Sequence, residues 1–206
     1  MIIRILFCLL FTLTSAHAET FYLTTDISLE NESITSTDAS SNSNLEISQI
    51  GKLNWSDIKQ YGEDNSISVS QIGSSNHNAT AQISSTSGSS ALVDQEGNGN
   101  FNSIEQKLST NTAATIYQNG NLNINNTNQA GSDNFYALIQ SGNENYSSIT
   151  QDGLSLSANV QQSGNSNWST ITQSGNSNTA YVTQSTSHNT STILQSGMGN
   201  MAMVSQ

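Results

Sequence analysis

Along most of the chain, apolar and polar positions alternate in short runs that recur every eleven residues. From Gln162 the units read QSGNSNWSTIT, QSGNSNTAYVT, QSTSHNTSTIL, QSGMGNMAMVS and a final Q. Two residues before each closing Gln stand Ile58, Val69, Thr80, Val93, Ile104, Ile116, Thr127, Leu138, Ile149, Val160, Ile171, Val182, Ile193 and Val204. Twelve of these are aliphatic and two are β-branched Thr, and they share parity with the Gln and Asn of each unit. That is the period-two signature of a strand with one buried face. Charge gives an independent check. The repeat region carries twelve charged residues, none of them two or four positions before a Gln. Chance would put about three there, and burial of unpaired charge explains their absence.

The anchors are Gln49, Gln60, Gln71, Gln82, Gln95, Gln106, Gln118, Gln129, Gln140, Gln151, Gln162, Gln173, Gln184, Gln195 and Gln206. Twelve of the fourteen intervals are eleven residues, and the other two are thirteen and twelve. A glycine follows two after the Gln at Gly51, Gly62, Gly73, Gly97, Gly120, Gly131, Gly142, Gly153, Gly164, Gly175 and Gly197. It is replaced by Ser84, Leu108 and Thr186, and the first two replacements fall in the lengthened units. Length and residue change together, as they would if Gly closes a tight turn that needs φ > 0. Six before the closing Gln stand Asn54, Asn65, Asn76, Asn100, Asn123, Asn134, Asn145, Asn167, Asn178, Asn189 and Asn200, with Ser89, Thr112 and Leu156 in the remaining units.

A longer period of 22 overlies this one. Four before Gln, odd units carry Ser or Asn and even units mostly Ala. Five before Gln, odd units carry mostly large residues (Trp55, His77, Phe101, Ile124, Tyr146, Trp168), and even units mostly small ones. Odd and even strands therefore occupy different environments. The expected fold is all-β: a parallel, amyloid-like β-solenoid of about seven 22-residue two-strand coils, roughly 34 Å tall at 4.8 Å per coil. Each strand pairs with the one 22 residues on, so Gln stacks on Gln, Asn on Asn and Ile on Ile, as in cross-β ladders. The two lengthened turns should lie on one edge in adjacent coils.

Composition adds the ends of the chain. Residues 1–18 hold Arg4, an apolar run from Ile5 to Leu13 and a small-residue exit at Ala16-His17-Ala18. This reads as a secretory signal peptide, cleaved after Ala18. Its apolar run is far shorter than the roughly 20 residues a membrane span needs. Cys8, the only cysteine, would leave with it, as would Arg4. Three Lys against fifteen acids then give the mature chain a net charge of −12. That balance argues against nucleic acid as a partner. Residues 19–42 have no repeat and five acids, and read as a flexible acidic leader; residues 43–206 form the solenoid. Proline is absent, so every backbone N–H is free to join a ladder. Apolar content of 33% would also suit a disordered polar tail, but the register of the repeat decides against one.

The unit Gln-x-Gly-x-x-Asn-x-Ala/Ser-x-x-x-Gln resembles the curlin repeat of bacterial curli subunits, in fourteen tandem copies over about Leu45 to Gln206. The resemblance implies a secreted, self-polymerising amyloid fibre of biofilm matrix and adhesion. It also implies partners: further copies of the chain, a nucleator subunit, and a dedicated outer-membrane secretion pore. The Gln, Asn and Gly residues named above match the family's ladder and turn residues. Uncharged final repeats favour the major-type subunit, with the minor nucleator as the alternative.

No enzyme, cofactor, metal or small-molecule substrate is expected. After cleavage two histidines remain, His77 on the outer column and His188 in a turn, without converging partners. Glu63-Asp64 is an adjacent acidic pair in a turn, read as solvating charge. Asn78-Ala79-Thr80 and Asn145-Tyr146-Ser147 match a glycosylation pattern that this composition produces by accident. The competing class is a monomeric β-solenoid binding through a flat face, such as an ice-binding protein or an adhesin. Ice binding calls for a regular outward Thr array, whereas Thr170 with Thr172 is followed one coil on by Thr192 with Leu194. The solenoid ends at Gln206 without a helical, Pro or charged cap, and an open edge that matches its own other end reads as a polymerisation site.

Overall fold

The computed structural model describes residues 10–14, 20–25 and 33–206. The strands are β1 (Leu10–Thr14), β2 (Thr20–Thr25), β3 (Ser33–Ser41), β4 (Asn44–Lys52), β5 (Trp55–Glu63) and β6 (Ser66–Ser74). They continue with β7 (His77–Ser87), β8 (Ser90–Asn98), β9 (Phe101–Thr110), β10 (Ala113–Asn121), β11 (Ile124–Ser132) and β12 (Phe135–Asn143). The last are β13 (Tyr146–Leu154), β14 (Ser157–Ser163), β15 (Trp168–Asn176), β16 (Thr179–Gln184), β17 (Thr190–Met198) and β18 (Met201–Ser205). Odd-numbered strands form one nine-stranded sheet and even-numbered strands the other. All pairing is parallel, so the fold is the β-solenoid of about seven repeat coils that the 22-residue period predicts.

The register places repeat position on repeat position. Gln118 lies between Gln95 and Gln140, and Gly120 between Gly97 and Gly142. Parity decides what each residue faces. In β15 the burial runs Trp168 out, Ser169 in, Thr170 half-buried, Ile171 in, Thr172 half-buried, Gln173 in. The core is the double column of Ile58, Ile104, Ile149, Ile171 and their even-sheet counterparts Val69, Val93, Ile116, Leu138, each at most 1% exposed. Backbone hydrogen bonds continue around the corners as well, for example from Leu122 N to Asn98 O at 3.0 Å.

The extra residues of the two lengthened units are absorbed after Gln82 in β7 and after Gln106 in β9. The register shifts there, so that Gly62 pairs with Thr86 and Gly131 with Ser109. These strands are neighbours, so both bulges sit on one edge of the solenoid in adjacent coils.

The corners hold one feature that the sequence pattern does not announce. Most have two positive-φ sites. One is the repeat glycine, such as Gly175 at φ +104°. The other is the residue just before the Asn position, with φ near +55°, filled by Leu53, Asp64, Ser75, Leu122 or Glu144 as readily as by Gly99. A second reason restricts the first site to glycine. A Cβ on Gly51 would sit 1.8 Å from the carbonyl oxygen of Gly73, and one on Gly175 would sit 2.1 Å from that of Gly197. Coils at strand spacing leave no room for a side chain there.

The segment 19–42, read from sequence as a leader, contains β2 and β3, which pair with β4 and β5. Open strand edges present a row of backbone donors and acceptors that an extended neighbour can take up. Of the segment read as a signal peptide, Leu10–Thr14 lies on β3 as β1, while the cleavage point after Ala18 falls outside the described residues.

Two outcomes follow for the folded chain. Ile171→Asp buries an unpaired carboxylate and costs about 3–5 kcal/mol, whereas Thr170→Asp on the outer parity costs about 1 kcal/mol. Urea unfolding midpoints read the difference, and equal losses would contradict a two-faced strand. Gly175→Ala combines a strained φ with a backbone collision and costs at least about 3 kcal/mol. Gly99→Ala meets only the end of the Leu122 side chain at 2.9 Å, in a conformation that other coils fill with Leu or Ser, so it costs under about 1 kcal/mol. Comparable losses at both glycines would remove the close stacking as the cause.

Candidate functional site

A buried amide has to find partners for two N–H donors and a carbonyl oxygen, because an unmet polar group in the core costs about 1–3 kcal/mol. The Gln columns meet that demand along the solenoid axis. In the even sheet, side-chain bonds run Gln49 to Gln71, Gln95, Gln118, Gln140, Gln162, Gln184 and Gln206, at 2.6–3.2 Å. In the odd sheet they run Gln60 to Gln82, Gln106, Gln129, Gln151, Gln173 and Gln195, at 2.8–3.1 Å. Every link has one direction: Nε2 donates to Oε1 of the Gln in the next coil. The second amide hydrogen crosses to the facing sheet, from Gln118 to Phe101 O at 3.1 Å and from Gln151 to Phe135 O at 3.0 Å. From Gln71 onward the glutamines thus tie coil to coil and sheet to sheet.

The asparagines, also expected as an amide ladder, act mainly on the backbone. Asn145 Nδ2 donates to Gly164 O in the next coil at 2.9 Å, and its backbone N–H donates to Asn123 Oδ1 at 3.1 Å. Amide-to-amide bonds join some neighbours, such as Asn123 to Asn100 at 3.2 Å. The same pattern holds Asn54 to Gly73 and Asn178 to Gly197, so Asn clamps the corner glycine of the following coil. Asn76, Asn100, Asn123 and Asn134 make the same bond to a glycine carbonyl. Asn65 finds Thr86 instead, where the lengthened turn has removed the glycine. Asn167, Asn189 and Asn200 each bond the carbonyl of their own corner.

One polar cluster inside the core escapes the repeat pattern. Asn125 donates to Asn102 at 2.8 Å, Asn102 to Asn78 at 2.8 Å, and Asn78 to Ser56 at 3.1 Å. Thr80 and Thr127, the two departures from the aliphatic column, bond Asn78 and Asn125 on their own strands. Tyr136, fully buried in the even sheet, donates to Asn125 Oδ1 at 3.1 Å and bonds Ser147 Oγ at 3.0 Å. Burial pushes its phenol far above the ordinary range, so it remains a neutral donor. A Thr two residues after an inward Asn is the sequence signal for this network. The Tyr at an Ala position is the other half of it.

The remaining candidates stay apart. His77 stacks on Trp55 at 4.1 Å between ring centroids, with Phe101 edge-on at 4.8 Å. Burial in that column holds its imidazole below the usual value, with Asp57 pulling the other way. His188 is a positive-φ corner residue elsewhere. Among the described residues, no three His, Cys, Asp or Glu side chains gather to hold a metal. Asp64 accepts a hydrogen bond from Asn42 at a corner, as a solvating turn residue does. Asn78 and Asn145, the two glycosylation-pattern asparagines, are 0% exposed and closed to modification. The outward Ser148, Thr170 and Thr192 lie in one register row, but Leu194, 77% exposed, interrupts the row beside it.

What this arrangement does chemically is join strand edges. At the far end of the ladders, Gln195 and Gln206 donate to Thr179 O and Thr190 O and to no further glutamine. At the near end, Gln49 Oε1 and Gln60 Oε1 are buried without a partner. One end has donors to spare and the other has acceptors.

The family model for the curlin associated repeat matches residues 41–73, 155–185 and 182–206. No curated protein matches the chain. The unmatched middle holds both lengthened units and the Ser84, Ser89, Leu108 and Thr112 departures, yet its glutamine ladders run through unbroken. With the repeat matched at both ends of the solenoid and its Gln and Gly positions in register between them, the chain carries the curlin associated repeat.

Proposed function

We propose that the chain is a secreted structural subunit of curli type that self-assembles, copy on copy, into extracellular fibres of biofilm matrix and adhesion. It is the major-type subunit. Residues 1–18 direct export and are cleaved after Ala18, the chain crosses the outer membrane through the family's secretion pore, and a nucleator subunit starts the fibre. The role is structural rather than catalytic.

The single direction of the glutamine ladders carries this reading. A donor left at Gln206 and an acceptor left at Gln49 make the two ends of the even-sheet ladder complementary, so a stacked copy can continue it. Such a heterologous contact does not close on itself and generates a filament. Charge supports the same reading. All twelve charges of the repeat region lie between Lys52 and Asp152, which leaves residues 153–206 with polar amides, hydroxyls and aliphatics of the type that zips readily.

Purified residues 19–206 are expected to form thioflavin-positive fibres with a 4.7–4.8 Å axial reflection. A persistent soluble monomer under the same conditions would overturn the proposal.

Acid should favour the folded coil. Burial, reinforced by the charge of Glu96, raises the Asp94 carboxyl above its ordinary value, with a Ser70 hydrogen bond opposing. A raised folded-state value means that the folded chain binds the proton more tightly than the unfolded one. The stabilisation is full below the unfolded carboxylate range and is lost as pH rises through the raised value. Unfolding midpoints should therefore rise as pH falls toward the ordinary carboxylate range, and Asp94→Asn should flatten that rise. An unchanged slope in the variant would exclude Asp94 as the source.

A further inference from the structure

We infer that β2 is a placeholder, displaced by the β18 edge of a second copy, while β3 stays in the stack as a permanent strand. This rests on the self-assembly reading above. Coils alternate between the sheets in chain order, so end-to-end stacking requires an even number of strands per copy. Without β1, which lies in the segment read as the export signal, strands β2 to β18 number seventeen, and both the first and the last belong to the even sheet. Two copies cannot stack until one even strand gives way.

β2 is the strand built to yield. Thr25 of β2 stands opposite Gln49, where β6 on the other side of β4 places Gln71. β2 brings no amide to the ladder, and Gln49 Oε1 is buried without a partner beneath it. β18 of a second copy brings Gln206, whose Nε2 donates to no further glutamine. Exchange of β2 for β18 therefore supplies the missing donor. β3 differs. It pairs nine residues of β5, and its removal would leave an odd-sheet gap between Gln195 of one copy and Gln60 of the next. In place, β3 keeps the odd sheet continuous, with Asp38 in register opposite Gln60.

The test locks each strand in turn by disulfide in residues 19–206, which contain no native cysteine. Thr24→Cys with Ser48→Cys joins β2 to β4, and Thr35→Cys with Asp57→Cys joins β3 to β5, at register pairs within disulfide reach. Fibre elongation is followed by thioflavin fluorescence with and without reductant. The β2–β4 bond is expected to slow elongation at least about tenfold when oxidised, with recovery on reduction, while the β3–β5 bond leaves it within about twofold. Equal elongation of the oxidised and reduced β2–β4 protein would overturn the inference, as would equal blockage by both bonds. Failure of the reduced proteins to form fibres at all would instead bring down the self-assembly reading and the inference with it.

Discussion

The constraint on which the rest depends is that a buried primary amide must spend two donors and find at least one donor for its oxygen. Gln meets it here by pairing with its own copy one coil away and with a carbonyl of the facing sheet. That solution works only if every coil places a Gln at the same height and depth. It therefore demands a repeat, a fixed register and a strand spacing that brings amide to amide at about 2.8 Å. The aliphatic columns beside the ladder supply apolar burial, which tolerates small changes of position. The amides do not, and they hold the register.

The corners answer to the same spacing. Coils stacked this closely bring the next backbone to about 2 Å from where a Cβ would lie at most of the repeat glycines, and Asn then pins the carbonyl of such a glycine. Gly and Asn are thus two parts of one joint, the first giving room and the second giving hydrogen bonds. Where the glycine is lost in the lengthened turn at Ser84, Asn65 finds Thr86 instead and the stack continues. The joint can be rebuilt locally because the ladder on either side keeps its alignment.

A structure that satisfies its interior only by neighbours above and below has no natural end. Its last coil carries donors without a glutamine acceptor, and the coil of β4 and β5 carries acceptors without donors. The outward faces carry what little else the chain has to offer: an aromatic row of Trp55, His77, Phe101, and of Tyr146 stacked on Trp168 at 4.0 Å.

The alternation, the eleven- and 22-residue periods and the missing charges determined the strand faces, the parallel stacking and the bulges after Gln82 and Gln106, because burial parity and repeat length are properties of the chain itself. Self-stacking of Gln follows from the same logic. The tertiary structure alone decided how the amides are spent. The crossing bond from Gln118 to the Phe101 carbonyl depends on the height of one sheet against the other, which no spacing along the chain encodes. It also decided that Asn serves the backbone of the next coil, and that a second positive-φ residue, as varied as Leu122 and Glu144, completes each corner. Tyr136 reaching Asn125 and Ser147 across the core belongs to the same class. Contacts between sheets come from packing, and a repeat specifies only what lies beside itself.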